Sequence, residues 1–152
     1  MDRALVVIDD TDAHRELLAE AAALTAGADA DLVVFSWLTP DEFEADMDVI
    51  ESVERVEKAS YGDLESDDIV RNFVDEFAGD VLASDSAEYE IASAVTETDD
   101  LADEILSAAR RFDCDHVFLV GQGRSPTGKA IFGNVAQRVI LNFGGYVTVS
   151  VE

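Results

Sequence analysis

The stretch HVFLVGQGRSPTGKAIFGNVAQRVILNFGGYVTVSV (residues 116–151) decides the fold class of this chain. It opens with a short apolar run at 116–120 and closes with the alternating run 146–151, and both have the length and composition of strands. Apolar residues at i, i+4 spacing between them predict a helix ended by two glycines: Ile131, Val135, Val139 and Phe143, then Gly144 and Gly145. A strand, a helix and a second strand in this order form the repeating unit of a parallel sheet.

The rest of the chain repeats this alternation. Further strands are predicted at 4–9, 31–38 and 88–95. Helical apolar stripes occupy the intervals, namely 17–24 ended by Gly27, 49–56 and 69–77 within the acidic segment 41–84, and 101–112. Near-continuous apolar strands separated by such helices indicate a sheet that is covered on both sides. We therefore expect one α/β domain over residues 1–152, with an open, Rossmann-like five-stranded parallel sheet and helices on both faces.

The charge of the chain limits its partners. Its 34 acidic residues outnumber 10 basic ones, which gives a formal net charge of −24 at pH 7. Binding to DNA, RNA or an anionic membrane requires Lys and Arg against phosphates, so we expect no nucleic acid and no membrane partner. No apolar run reaches the length of a membrane span and no signal-peptide pattern opens the chain, so a cytoplasmic location is expected.

The same charge predicts a halophilic protein. Apolar residues make up 48% of the chain, which is enough for a packed core and argues against disorder. The acids include twenty aspartates against only two lysines, and they are spread over several segments. Molar salt shortens the Debye length to about 3 Å and screens the repulsion between them. These features are typical of a folded protein from a salt-loaded cytoplasm.

Few side chains offer catalytic or metal chemistry. Cys114 is the single cysteine, which excludes an intramolecular disulfide and a cysteine metal cluster. His14 and His116 have no placed partner and are interpreted as surface or packing residues. No nucleophile, base and acid form a catalytic arrangement, so an enzyme is not the favoured interpretation. Trp37, at the end of the second strand, is left open between a pocket wall and a core residue.

The loop after the fourth strand is free of acids, because residues 116–151 contain no Asp or Glu. Two phosphate-binding motifs fit this loop incompletely. Residues 123–129 match G-x-x-x-x-G-K, but Ala130 stands where a P-loop has the hydroxyl that holds Mg²⁺. Residues 121–123 (GQG) begin a dinucleotide fingerprint, but Pro126 occupies its third glycine position.

A third interpretation is anion binding by the two ends of this loop. Glycines at its start let a ligand approach the backbone, a helix start at its end presents N–H groups, and two cations lie between. The residues are Gly121 and Gly123, Arg124 and Lys129, and Gly133 with Asn134. Ligands of open parallel sheets bind beyond the carboxyl ends of the strands, where Asp9-Asp10-Thr11 forms the other polar strand end. The alternative is that residues 116–151 lack acids because they are buried in strands, a packed helix and a subunit interface.

At this point the chain resembles universal stress proteins. The end VGQGRSPTGKAIFGNVAQRVILNFGGYVTVSVE (120–152) is similar to the ATP-binding signature of that family, and the opening ALVVIDDTDAHRELLAEAAALTAGADADLVVFSW (4–37) resembles the family as well. The resemblance implies a strand order of 3-2-1-4-5. It also implies a nucleotide site in which Asp9 and the backbone around Trp37 meet the adenine, Gly121 and Gly123 lie near ribose and phosphates, and Gly133, Asn134 and Val135 hold the phosphate tail.

Three departures from the family pattern bear on this site. The first two glycines of the loop are spaced G-x-G, whereas the family has G-x-x-G. Asn134 replaces the usual Ser or Thr, and its amide NH₂ is a donor of different geometry. Asp10 puts a second carboxylate beside Asp9, where it either helps to hold a metal with the nucleotide or caps the first helix. Capping is the prediction.

The expected function is that of a nucleotide-sensing homodimer with little or no turnover. ATP, with Mg²⁺, is the expected ligand. The final strand, Tyr146 to Val151, is an edge strand without Lys, Pro or Asp to discourage pairing, so it predicts the dimer contact. Two alternatives remain, namely an interaction module of the same fold with an empty crevice, and a slow Mg²⁺-dependent ATP hydrolase that uses Asp9 or Asp10.

Overall fold

The computed structural model describes residues 1–44, 66–82, 88–121, 123–124, 130–131 and 133–151. Five of its strands form one parallel sheet: β1 (Arg3–Val7), β2 (Asp31–Leu38), β3 (Glu90–Val95), β4 (His116–Val120) and β7 (Tyr146–Ser150). Their order across the sheet is β3-β2-β1-β4-β7, and all pairs are parallel. Because β7 is the fifth strand of this sheet along the chain, the expected order 3-2-1-4-5 is confirmed.

Residues 40–44 are helical. Further helices, whose bounds lie within the described part of the chain, connect the strands. They are α1 (Asp12–Gly27), α2 (Ser66–Val81), α3 (Leu101–Arg111), which a 3₁₀ turn at Thr98–Asp100 precedes, and α4 (Gly133–Asn142). The other predicted helix, at 49–56, lies outside the described residues. Among the described residues, no helix is both long and apolar enough to cross a membrane.

The start of α4 differs from the sequence prediction. Ile131 was expected on the apolar stripe of this helix, but it belongs to a two-residue strand, β6 (Ala130–Ile131), which pairs antiparallel with β5 (Gly123–Arg124). The physical reason is the backbone of Gly133, whose φ of 78° is incompatible with a continuous right-handed helix. The helix therefore begins at Gly133, and the i, i+4 spacing of Ile131 is coincidental.

Both faces of the sheet are buried. One hydrophobic cluster lies between the sheet and α1 with α2, and a second lies between the sheet and α3 with α4. Side chains alternate along a strand, so β1 sends Ala4 and Val6 to the first cluster and Leu5 and Val7 to the second. Burial of a large side chain such as Phe118 stabilises the fold by about 1.5–3 kcal/mol. Two-sided burial is the reason that these strands read as unbroken apolar runs.

The turn between α4 and β7 requires a glycine at one position. A Cβ atom on Gly145 would lie 2.5 Å from the carbonyl oxygen of Asp115 and 2.7 Å from the Phe143 ring. That carbonyl cannot easily move, because it accepts a hydrogen bond from the Tyr146 amide at 3.1 Å. The preceding residue, Gly144, has nothing within 4 Å of the same position.

We expect Gly145→Ala to lower the free energy of unfolding by roughly 1–3 kcal/mol, the usual cost of overpacking. Gly144→Ala is the matched control and should leave the free energy of unfolding unchanged or raise it by up to about 1 kcal/mol, because its Cβ enters open space. Urea denaturation of both variants measures the difference. Equal effects at the two positions would show that the contact with Asp115 does not govern this turn.

Candidate functional site

The loops that follow β1 and β4 lie at the same edge of the sheet. The two strands are parallel neighbours, with Ala4 in register with His116 and Val6 with Phe118. Asp9 and Gly121 therefore both emerge at the C-terminal rim, which confirms the expectation that strands one and four are adjacent. This is also the point where the strand order reverses, and ligands of open α/β sheets bind there.

The first rim loop is held by its own backbone. The Asp10 amide donates to Asp9 Oδ1 at 2.8 Å, and the Thr11 amide donates to the Asp9 carbonyl at 2.9 Å. Ile8 anchors the loop from below, because its amide donates to the Phe35 carbonyl at 2.9 Å. The Asp9 side chain remains exposed at the rim. Its position is thus fixed before any ligand arrives.

The predicted capping role of Asp10 is wrong. The N-cap of α1 is Thr11, whose hydroxyl accepts from the His14 amide at 3.1 Å and whose backbone is extended, with φ −138° and ψ 158°. Asp10 lies one residue too early to reach these amides. Its carboxylate instead pairs with Arg15 at 3.4 Å.

The hydroxyl of Thr11 also contacts the ring of His14. Oγ1 lies 2.6 Å from Nδ1, and because the same oxygen already accepts from the His14 amide, the hydroxyl proton is available to the ring. Burial lowers the pKa of His14 below its usual 6.5, and the Asp9 carboxylate opposes this by favouring the charged ring. The Thr11 hydroxyl can donate to a neutral Nδ1 or accept from a protonated one, so this contact is compatible with both charge states of the ring. Burial is the larger effect on the pKa, and it favours neutral His14.

The lowered pKa of His14 predicts a pH dependence of stability. Below pH 6.5 the unfolded chain binds a proton at this residue more readily than the folded chain does, so the free energy of unfolding falls as the pH drops. We expect His14→Gln to reduce the loss of stability between pH 7 and pH 5, measured by urea denaturation in molar KCl. NMR titration of His116 in the same variant is the control and should be unchanged. A pH dependence identical to that of the parent chain would contradict this coupling.

Trp37 packs its side chain on the core, and its backbone lies near the C-terminal rim of the sheet. Its side chain is half-buried and packs against the cluster beneath α3 and α4, which also includes Val135. Its backbone lies near the end of β2, in register with Ala94 of β3. The next carbonyl, that of Leu38, accepts from the Thr96 amide at 2.8 Å. The indole is therefore part of the core, while the main chain beside it reaches the C-terminal rim.

The second half of the predicted site is only partly described. Gly121 leaves β4 with its amide donated to the Ser150 carbonyl at 2.9 Å, so this N–H is engaged by β7. Gly123 and Arg124 form β5, where the backbone of Arg124 pairs with Ala130. Lys129 lies outside the described residues.

The start of α4 presents the backbone geometry of an anion site. Since β4 ends at the C-terminal rim and α4 returns the chain to the beginning of β7, the helix starts at that rim. Gly133 enters with φ 78°, Asn134 is exposed and Val135 is half-buried. The first turn of α4 carries no acid. The positive charge at this end of the helix, from the free N–H groups and the helix dipole, is therefore not neutralised by a carboxylate on the same turn.

A groove beside this helix start contains an acid that the sequence pattern did not reveal. It has a volume of about 400 Å³, and its lining residues are Thr98, Asp99 and Ala102 on one side and Asn134, Val135, Gln137 and Arg138 on the other. The stretch 116–151 is free of acids along the chain, but Asp99 lines the same groove as Asn134. The topology of the sheet could have revealed this, because the loop after β3 ends at the same rim.

Two kinds of reactive group, a metal-ligand cluster and an activated thiol, are not found among the described residues. They include no group of three or more His, Cys, Asp and Glu side chains that could hold a metal ion. Burial raises the pKa of the half-buried Cys114 thiol to about 11, so a thiolate nucleophile does not form near neutral pH. The rim thus combines a fixed carboxylate loop with a helix start.

Comparison with known proteins defines the class of this fold and site. The chain matches the universal stress protein family over residues 1–149 and belongs to that family. Comparison with curated protein sequences found no match. A solved universal stress protein from Archaeoglobus fulgidus is 20% identical, with a TM-score of 0.61 and 98% of each chain covered.

Two further similar structures are complexes with nucleotides. A universal stress protein in complex with cAMP is 14% identical, with a TM-score of 0.65 and coverage of 99% of this chain and 96% of the other. A universal stress protein from Archaeoglobus fulgidus in complex with dAMP is 16% identical, with a TM-score of 0.58 and coverage of 98% of this chain and 97% of the other. At these identities the likeness establishes the fold.

Proposed function

We propose that this protein is a cytoplasmic nucleotide-binding universal stress protein, a homodimer that senses ATP with little or no turnover. The observation that carries the proposal is the start of α4 at Gly133, which has a φ of 78° and begins a first turn without acids on the same side of the sheet as Asp9. Similar structures of the same family contain cAMP and dAMP, which supports an adenine nucleotide as ligand.

Each rim element has a proposed part in holding the nucleotide. Asp9 and the backbone beside Trp37 receive the adenosine. The loop from β4 surrounds the ribose and phosphates, and the start of α4 holds the phosphate tail through backbone N–H groups. The loop and helix residues concerned are Gly121, Gly123, Arg124, Lys129, Gly133, Asn134 and Val135. Mg²⁺ arrives with the triphosphate and neutralises part of its charge.

Binding without rapid hydrolysis fits the two carboxylates of the first rim loop. Asp9 accepts the amide of Asp10, and Asp10 pairs with Arg15, so each is engaged within its own loop or helix. A slow hydrolase and an interaction module without ligand are the alternatives, and both are outcomes of the test.

Titration with ATP in low salt and in molar KCl tests the proposal, and Gly133 supplies the variant. Gly133→Val should abolish binding because a β-branched residue is strained at φ 78° and displaces the first-turn amides. Gly133→Ala should weaken binding less severely. Gly144→Ala, which enters open space, is the matched control and should bind as the parent chain does.

Three results would overturn parts of this assignment. Unchanged affinity in both Gly133 variants would remove α4 from the site. Absence of bound adenine nucleotide in the parent chain at every salt concentration would favour the interaction module. Conversion of ATP to ADP over hours, lost on Asp9→Asn, would favour the hydrolase.

We also propose that the fold is adapted to high salt. The described surface carries many exposed carboxylates, and two of its ion pairs, Arg3 with Asp31 and Arg138 with Asp103, are partly exposed. Exposed pairs contribute about 0–1 kcal/mol each, too little to offset the repulsion of a net charge of −24. Screening by salt weakens that repulsion. Nucleotide affinity that appears only in molar KCl would support this proposal.

The edge strand β7 is the proposed dimer contact. The amide of Tyr146 and the carbonyl of Ser150 both bond toward β4, so the alternation of a strand directs the N–H groups of Val147 and Val149 to the free edge. Large exposed apolar side chains flank this edge in sequence, with Leu141 76% and Tyr146 74% exposed. A second copy of β7 paired across a two-fold axis would satisfy the outward N–H groups.

We expect Val149→Pro to convert the dimer to a monomer, because proline removes an outward N–H and leaves the ladder to β4 intact. Val95→Pro is the control on the opposite edge. Since Thr96 bonds inward to Leu38, the Val95 N–H also points outward, and its loss should leave the dimer unaffected. Light scattering after gel filtration gives the mass of each variant. A parent chain that is monomeric, or a dimer that persists in Val149→Pro, would overturn the contact.

A further inference from the structure

The groove beside α4 contains a cation placed one turn beyond the proposed phosphate site. Arg138 and Asn134 both line this groove. They are four residues apart on α4 and so lie on the same side of the helix. Helical side chains lean toward the N-terminus, which directs the long side chain of Arg138 back along the groove toward the helix start.

Arg138 is held only weakly in its present position. Its guanidinium lies 3.3 Å from Asp103 Oδ1, and the two side chains are 53% and 59% exposed. Exposed pairs of this kind contribute little to stability, so exchange of the carboxylate for another anion costs little. A guanidinium binds a phosphate through two parallel N–H donors, a stronger contact than the single one that it makes to Asp103.

We propose that Arg138 is a phosphate-binding residue, and that it leaves Asp103 to contact a phosphate beyond the one held by the first turn of α4. This proposal rests on the proposed nucleotide site and deepens it, since it assigns the groove to the distal part of a polyphosphate. When no ligand is bound, the ion pair with Asp103 keeps the guanidinium of Arg138 beside the groove.

The other charge of the groove favours this role of Arg138. Among the described residues that line it, Arg138 is the only basic one, and Asp99 is an acid on the opposite wall. A second or third phosphate that enters the groove meets the negative charge of Asp99. Among the described wall residues, Arg138 is the one cationic side chain that can offset that repulsion.

The test is calorimetric titration of AMP and of ATP, with constant MgCl₂ and molar KCl, into the parent chain and four variants. Arg138→Gln should weaken ATP binding about tenfold, the effect of one lost hydrogen bond between charged groups, and should change AMP affinity by less than about twofold.

Asp103→Asn should strengthen ATP binding, because Arg138 is then free. In the double variant Asp103→Asn with Arg138→Gln, most of that gain should disappear. Arg110→Gln, an equal charge change in the last turn of α3, is the control and should behave as the parent chain.

Each outcome decides the proposal. A tenfold loss confined to ATP, together with a gain for Asp103→Asn that depends on Arg138, establishes the contact. Equal losses for AMP and ATP, no difference between Arg138→Gln and Arg110→Gln, or weaker binding in Asp103→Asn would overturn it while the nucleotide site stands. Absence of binding by the parent chain and every variant would overturn the nucleotide site as well.

Discussion

The parallel pairing of β1 with β4 is the constraint on which the rest of this molecule depends. These two central strands are adjacent in the sheet but far apart in sequence, and their register sets Ala4 against His116. The sheet extends from this pair through β2 and β3 on one side and through β7 on the other. The order of the strands along the sheet therefore reverses between β1 and β4. Because all five run in the same direction, the loops after them gather at one rim. The candidate site therefore follows from a backbone ladder in the core rather than from any side chain at the surface.

Electrostatics at this rim cannot be read along the chain. The segment from β4 to β7 has no acid, which indicated a region where a phosphate would meet no negative charge. In the fold, Asp99 from the loop after β3 lines the same groove as Asn134, and the one basic residue described there, Arg138, is paired with Asp103. The groove thus holds charges of both signs from two distant segments. The affinity of the groove for an anion depends on whether Arg138 pairs with Asp103 or with the anion. A count of the charges in one segment does not show this.

Conformation, rather than composition, gives the glycines at the rim their separate roles. Gly133 takes φ 78° and sets the direction in which α4 begins, whereas Gly121 continues the ladder and donates its amide to β7. In the turn between α4 and β7, the Asp115 carbonyl leaves no room for a side chain at Gly145, whereas a side chain at the neighbouring Gly144 would enter open space. The N-cap of α1 is a further example. Thr11 reaches the first amides of the helix, whereas Asp10, one residue earlier, does not. Similar residues in one motif therefore carry different functions.

The sequence by itself determined the strands, their parallel class and the two-sided burial, because near-continuous apolar runs such as those of β2 and β4 are stable only between two helical layers. It also placed the polar cluster Asp9-Asp10-Thr11 and the glycine loop at the ends of strands, because polar residues and glycines follow the apolar runs there. Only the tertiary structure decided that Ile131 leaves the helix, that Thr11 rather than Asp10 is the cap, and that Asp99 lies across a groove from Asn134. The physical reason is that periodicity is a local property, whereas backbone entry angles and contacts between loops arise only when distant strands have paired.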